Sequence, residues 1–279
     1  MGRKRDSKPM AEALLLRWLR KLPTKLKVFL GVSSMVVMLI VLQITLKNHL
    51  INLFIASEIC HAVGIIVLIY KLKTQKTCFG LSLKTQELTA MFMATRIICN
   101  YYVGFYSDGV LDFVTHFVAL LSTLWVIYMI RFKLKSTYIK EHDNFSMYYL
   151  VIPSAVLSAA VHPKITDYRI IQYLFAFYGY LESVSVLPQL RFIQNAKMIE
   201  PFTGHYIFAL GVSRFLSLAF WIIQIYNTRG TYFYLIGSGY FWILAAILGE
   251  LLQSFILADF CYYYIRSYMK SQLIMAMPV

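Results

Sequence analysis

Eight stretches of this chain are apolar enough and long enough to cross a lipid bilayer, and that constrains its fold more than any other feature. They lie near 28–46, 50–70, 86–106, 112–131, 147–161, 168–188, 204–225 and 236–264. About 20 apolar residues in a helix cover the ~30 Å hydrocarbon layer. That layer offers no partner to a bare peptide group, so each stretch must satisfy its own backbone, as a helix does. The expected class is an all-α integral membrane protein. A hydrophobic share of 59% over 279 residues leaves no room for a soluble domain. The fifth stretch is the shortest and contains Pro153, which helices in lipid tolerate.

Basic residues divide unevenly between the ends of these spans. The N-terminal tail holds Arg3, Lys4, Arg5, Lys8, Arg17, Arg20, Lys21, Lys25 and Lys27. Alternate connections hold Lys71, Lys73, Lys76 and Lys84, then Arg131, Lys133, Lys135 and Lys140, then Arg191 and Lys197, and the C-terminal tail adds Arg266 and Lys270. Twenty-one of the 27 basic residues thus fall on one side, against Lys47, Lys164, Arg169 and Arg229 on the other. Basic loops face the cytosol, so both termini are expected there, as an even number of spans requires. The net charge of +14 is therefore a topology signal and implies no nucleic-acid partner; the partner it implies is the lipid bilayer. The segment Ala11–Lys27, with Trp18 among cations, reads either as a plain tail or as a strip lying on an anionic membrane surface. No cleavable leader is expected, and Asp6 occupies the position where a myristoylation motif on Gly2 wants Ser or Thr.

Arg96 and Arg214 remain, each inside an apolar span. A charge at membrane depth costs about 2.5–3.5 kcal/mol on insertion scales and is kept for a pairing or a ligand. Glu58 and His61, three apart, share one face of the second span. Gln172 and Glu182 lie in the sixth, Arg214 and Gln224 in the seventh, and Glu250, Gln253 and Asp259 in the last. Two readings stand. The polar groups converge on one cavity, cationic and suited to an anion, or they pair between helices as Glu58–Arg96 and Glu182–Arg214. A buried histidine beside an anion site can gate it by protonation, because its ordinary pKa of about 6.5 lies within the range of cellular compartments.

No phosphate loop, dinucleotide fingerprint, zinc spacing or nucleophile elbow is present, so no enzyme activity, cofactor or metal is expected. Cys60, Cys78, Cys99 and Cys261 are scattered and read as buried thiols. The single sequon, Asn144-Phe145-Ser146, falls on the cytosolic side.

Two stretches resemble family signatures. Gly80-Leu81-Ser82-Leu83-Lys84-Thr85-Gln86-Glu87-Leu88 followed by Arg96, and Leu181-Glu182-Ser183-Val184-Ser185-Val186-Leu187-Pro188-Gln189-Leu190, are similar to those of the KDEL receptors, the ER lumen protein-retaining receptors. His205 to Arg214 resembles the family's sixth helix, and the likeness runs from about Asn52 to about Lys270. The resemblance implies a seven-helix SWEET-like (PQ-loop) bundle of two parallel triple-helix repeats, with Pro188-Gln189 as the PQ pair and Gln86 in the matching place of the first repeat. The ligand is then expected between the halves. The organisation that follows is a basic cytosolic tail over 1–27, an additional N-terminal transmembrane helix over 28–48, the seven-helix domain over 49–265 and a cytosolic tail over 266–279.

The resemblance also implies a function: retrieval from Golgi to endoplasmic reticulum of lumenal proteins that end in a Lys-Asp-Glu-Leu-type sequence. On that basis Arg96 receives the terminal carboxylate, His61 senses pH, and Glu182 and Arg214 form a second buried pair coupled to it; Glu58 completes the set of ligand-binding candidates. The departures concern the pocket. Asn52-Leu53-Phe54-Ile55-Ala56 contains no arginine where the family has one, and a second family arginine is Gln224 here. Family tyrosines are Ser213 and Ser217, an asparagine is Phe220, a tryptophan is Phe175 and a glutamate is Gln172. The tail Met269-Lys270-Ser271-Gln272 offers one lysine to coat proteins where the family has a cluster. The partner expected is thus a lumenal C-terminal peptide or other anionic ligand with altered specificity. The alternatives are a small-solute transporter on the same scaffold and a trafficking protein without a lumenal ligand. Protease treatment of sealed microsomes is expected to remove tags from both termini, and Asn144 is expected to carry no glycan; a protected N-terminal tag would reverse the topology.

Overall fold

The computed structural model describes residues 50–103, 109–196, 198–228, 231–237, 240–269 and 275–276. The tail over 1–27 and the additional helix expected over 28–48 lie outside them. Helices are the dominant element: α1 Leu50–Thr74, α2 Leu83–Val103, α3 Gly109–Tyr128, α4 Tyr148–Ala160, α5 Arg169–Val184, α6 Leu187–Ala196, α7 Pro201–Asn227, α8 Thr231–Gly237 and α9 Trp242–Met269. Among the described residues the one strand pairing is two residues long, Met198–Ile199 (β1) antiparallel to Met275–Ala276 (β2).

Among the described residues four helical segments are long and apolar enough to cross a membrane: Phe113–Lys133, Arg169–Ala196, Pro201–Asn227 and Trp242–Arg266. This is a helical membrane protein. Several expected spans are shaped differently from the apolar runs that suggested them. The sixth breaks at Ser185-Val186, between α5 and α6. Pro188 sits in the first turn of α6, where its missing N–H removes no helical bond. The last, expected over 236–264, is α9, which starts later, at Trp242, and continues to Met269, while the short α8 ends at Gly237. The fifth, expected over 147–161, is a 13-residue helix, about 20 Å at 1.5 Å per residue and too short to span hydrocarbon unaided.

Helix α2 packs against α3 and α5, α9 against α7 and α5, and α4 against α5. Close approach depends on small residues. A Cβ on Gly211 of α7 would lie 2.3 Å from the Cys261 sulfur of α9, and one on Gly249 of α9 would lie 2.6 Å from Ser183 Oγ of α5. Side chains of α1, α3, α7 and α9 form one core around Leu72, Val126, Ile207 and Phe260; α2, α4 and α5 form a second around Leu88, Phe92 and Leu181.

The connections on the basic face are tied together. Lys71, the charge that ends α1 and that sequence places in a cytosolic loop, is fully buried. Its ammonium makes three close contacts, which match its three donors: Glu200 at 2.7 Å, the Phe79 carbonyl at 2.6 Å and Thr203 Oγ1 at 2.6 Å. Gln189, the glutamine of the Pro-Gln pair, donates to the Gly80 carbonyl at 2.7 Å and accepts from the Ser82 N–H at 2.9 Å. Gly80 has φ +82°, a conformation only glycine adopts without strain. Asp143 accepts from Ser82 Oγ at 2.8 Å and from the Tyr138 hydroxyl at 2.6 Å. Burial and the neighbouring Asp143 carboxylate push the Tyr138 phenol well above its usual range, so it stays a donor. Gln86 donates to the Tyr206 hydroxyl at 3.0 Å, joining α2 to α7.

Removing one partner of a buried ion pair strands the other, at about 3–5 kcal/mol. Lys71→Met is therefore expected to lower the thermal unfolding midpoint of the detergent-purified protein substantially. Lys71→Met combined with Glu200→Leu should recover part of the loss. Equal midpoints for wild type and Lys71→Met would show that the three contacts contribute nothing net.

Candidate functional site

The charges on α5 and α7 meet. Arg214 of α7 donates to Glu182 Oε1 of α5 at 2.7 Å, a charge-assisted hydrogen bond. The other carboxylate oxygen, Oε2, faces Arg96 of α2 at 3.9 Å. One carboxylate thus stands between two guanidiniums, held tightly by one and met only electrostatically by the other. Arg96 also lies 5.9 Å from the ring centre of Tyr178, one turn before Glu182 on α5. Glu250 of α9 adds a second carboxylate within electrostatic range of Arg214. Two arginines thus share their neighbourhood with more than one acid, so the centre is not purely cationic.

His61 is buried on α1 and lines a small cavity of about 30 Å³ together with Glu182, Arg214, Thr85, Tyr206 and Gln253. That volume holds one or two water molecules. Thr85 Oγ1 and Gln253 Oε1 are buried without a hydrogen-bond partner among the described residues. Ser57 Oγ, one turn from His61, donates to the Ser213 carbonyl at 2.9 Å and ties α1 to α7.

Glu58 takes a different position from the one its sequence suggested. It was the internal counter-charge proposed for Arg96; the structure brings Glu182 to Arg96 and places Glu58 Oε2 3.9 Å from Nε2 of His116 on α3. His116 is nearly fully buried and was passed over in the sequence, where it stands alone in an apolar run. Three other members of the polar set lie elsewhere. Gln172 donates to the Thr166 carbonyl in the α4–α5 connection, Gln224 lies against the Tyr232 hydroxyl at 3.5 Å, and Asp259 is on the exposed surface of α9. The four cysteines are free thiols, and no cluster of metal-ligating side chains occurs among the described residues.

The sequence model of the family described as ER lumen protein retaining receptor matches residues 77–224, which includes Arg96, Glu182 and Arg214. The chain belongs to the ER lumen protein-retaining receptor family. It is 30% identical over 231 residues to the ER lumen protein-retaining receptor erd-2.2 of Caenorhabditis elegans, covering 82% of this chain and 100% of that receptor. It is 33% identical over 224 residues to the ER lumen protein-retaining receptor of Drosophila melanogaster, and 33% over 226 residues to ER lumen protein-retaining receptor B of Arabidopsis thaliana. Each of these two alignments covers 79% of this chain and 97% of the relative. The family is one of receptors, not enzymes.

In this member of the ER lumen protein-retaining receptor family, Glu182 bonds Arg214 at 2.7 Å and meets Arg96 only at 3.9 Å. Glu182→Gln is therefore expected to cost far more stability than Arg96→Ala. The first leaves a buried guanidinium without its carboxylate, at about 3–5 kcal/mol. The second removes a partly exposed partner at 3.9 Å. Thermal unfolding and gel filtration in detergent check the order; an Arg96→Ala protein that is the less stable of the two would make Arg96 the structural arginine.

Proposed function

We propose that this protein is a retrieval receptor of the endoplasmic reticulum and Golgi membranes that binds the C-terminus of a lumenal peptide, docking the terminal carboxylate on Arg96. The observation that carries the reading is the state of Arg96. Its side chain is 16% exposed inside a membrane helix, is backed by Tyr178, and stands 3.9 Å from a carboxylate whose other oxygen is bound to Arg214. A guanidinium so placed accepts a bidentate carboxylate without breaking the Glu182–Arg214 pair. His61, in the cavity beside that pair, serves as the proton site: adding a proton there adds a cation beside Arg214, and an incoming anion offsets it. Proton uptake and ligand binding then favour each other.

The proposed arrangement has seven helices in two triple repeats, α1–α3 and α5/α6–α7–α9, with α4 between them and an additional helix ahead of them. Both termini face the cytosol. The transporter reading draws no support from an interior cavity of about 30 Å³ or from basic-face connections pinned by Lys71, Gln189 and Asp143.

The test is binding of labelled peptides to the purified protein at mildly acidic and neutral pH. A peptide with a free C-terminal carboxylate is expected to bind better at acidic pH, and its C-terminal amide is expected not to bind. Arg96→Ala and Arg96→Lys should both abolish binding, because an ammonium cannot reproduce the fork. A Lys-Asp-Glu-Leu peptide should bind weakly. Each missing charge-assisted contact is worth about 1.5–3 kcal/mol, so two absent arginines cost at least about a hundredfold. A free-acid peptide whose affinity is unchanged by Arg96→Ala would overturn the proposal.

A further inference from the structure

The basic face carries cations that neither the charged centre nor the Lys71 network uses. Lys73 and Lys76 stand at the end of α1, and Arg131, Lys133 and Lys135 stand where α3 ends; all five are exposed. The preference of basic loops for the cytosol accounts for their sign. It does not account for their placement, which is fixed. The Cys78 N–H donates to Thr137 Oγ1 at 3.1 Å, and that hydroxyl donates to the Leu134 carbonyl at 2.9 Å. Leu134 itself is buried among the core side chains. The Lys73 ammonium lies 5.7 Å from the centre of the Trp125 ring on α3, within cation–π range. The two connections are thus held side by side, and their cations with them.

The backbone is irregular at both places. Beyond α3 the chain forms a π turn, Met129–Lys133, closed by the Leu134 N–H on the Met129 carbonyl at 2.8 Å. Such turns are rare and concentrate at functional sites. Lys76 has φ +52°, the left-handed conformation that glycine ordinarily supplies after a helix. Glu87 of α2 lies 2.8 Å from Arg131 Nη2 and holds that guanidinium in place. Below the cations the surface is aromatic. Tyr128 and Phe132 are both exposed, with ring centres 5.5 Å apart, and Trp125 precedes Tyr128 by three residues. Tryptophan and tyrosine at a span end sit at the level of the lipid headgroups.

We propose that this surface binds an inositol lipid that carries a phosphate on its ring, with the acyl chains lying along Tyr128 and Phe132. The proposal uses the cytosolic orientation proposed above for the basic face. Four or more basic residues immediately beyond a span attract anionic lipids in general. Depth selects among them. Lys73 stands beside Trp125, and Lys133 is eight residues further along, about 12 Å at the helical rise. The headgroup layer is about 5–8 Å thick on each side of the hydrocarbon. A serine headgroup ends within that layer and meets the inner cations alone. A ring phosphate projects beyond it, so the same lipid reaches Lys73 with its glycerol phosphate and Lys133 and Lys135 with its ring phosphate.

Native mass spectrometry of the full-length protein in detergent tests this, with dioctanoyl phosphatidylinositol 4-phosphate, phosphatidylinositol and phosphatidylserine supplied in turn. The phosphorylated lipid is expected to bind about tenfold tighter than the other two, and raised salt should weaken it. Lys133→Gln combined with Lys135→Gln should lower its affinity about twentyfold, at about fivefold per lysine. Lys133→Arg combined with Lys135→Arg should keep it, which separates a lost site from a lost fold. Arg191→Gln combined with Arg266→Gln removes the same charge from α6 and α9 and should change the affinity by less than about twofold. Equal affinities for the three lipids, or equal losses in the two charge-removing double variants, would make the attraction a general field of the basic face and overturn the site. Free inositol 1,4-bisphosphate bound as tightly as the lipid would overturn the lipid assignment in favour of a soluble phosphate. These readouts do not involve Arg96, so their failure leaves the peptide reading standing.

Discussion

The arrangement depends on one carboxylate between two guanidiniums in the membrane interior. Hydrocarbon supplies neither water nor counter-ions, so the helices that carry Arg96, Glu182 and Arg214 must come together before any of the three is stable at that depth. Glu182 satisfies Arg214 through a 2.7 Å hydrogen bond and meets Arg96 at 3.9 Å. That single residue on α5 therefore fixes α7 closely and α2 loosely. The close packing of α9 on both α5 and α7 at Gly249 and Gly211 brings Glu250 to the same centre. The apolar faces alone do not select this register, because lipid tails are as apolar as the side chains they would be exchanged for. Polar pairing and close contact at small residues do.

The two ends of the bundle are built differently. On the basic face a fully buried lysine, a buried glutamine and a buried aspartate reach across between connections that are far apart in sequence. Lys71 bonds to the 79–80 turn and to the start of α7, Gln189 holds Gly80 and Ser82, and Asp143 holds Ser82 and Tyr138. Every one of these side chains meets more than one partner, which makes the face a common anchor rather than a set of independent loops. At the opposite end the α4–α5 connection is held by fewer bonds and encloses open volume.

What could be read from the residues and what could not follows from how each signal arises. Charges inside apolar runs stand out, so Glu182 and Arg214 were legible, and their pairing is one of the two that the sequence suggested. The pairing of Glu58 with Arg96 is one of two readings that the sequence leaves open; the structure puts Glu58 3.9 Å from His116, a neutral-looking residue in an otherwise apolar run. Lys71 was counted with the loop charges because a lysine at a helix end ordinarily reaches water; only the fold shows that Glu200 and Thr203 arrive to cover it. The network around Asp143 and Ser82 lies in connections without periodicity, where no pattern points to a partner 61 residues away. Gln172, Gln224 and Asp259 were grouped with the centre because rotational phase is unreadable in a helix whose lipid-facing and core-facing sides are both apolar. Helix breaks carry marks in the sequence: Pro188 announces the one before α6, and Gly237-Ser238-Gly239 is a breaker signal ahead of Trp242 inside the run read as one span.

Arg96 and Arg214 show how the same side chain is given different work by its surroundings. Both interrupt long apolar helices, both have side chains 16% exposed, and both face Glu182. Sequence alone treats them as equivalent. Distance separates them. At 2.7 Å the Arg214 guanidinium is hydrogen-bonded to its carboxylate, with Glu250 in support, and its removal leaves two acids in hydrocarbon. At 3.9 Å Arg96 has electrostatic attraction to Glu182 without the directional bond. The Glu182–Arg214 hydrogen bond does not depend on the longer contact with Arg96. The asymmetry of this shared carboxylate is what gives two arginines in similar apolar helices different surroundings.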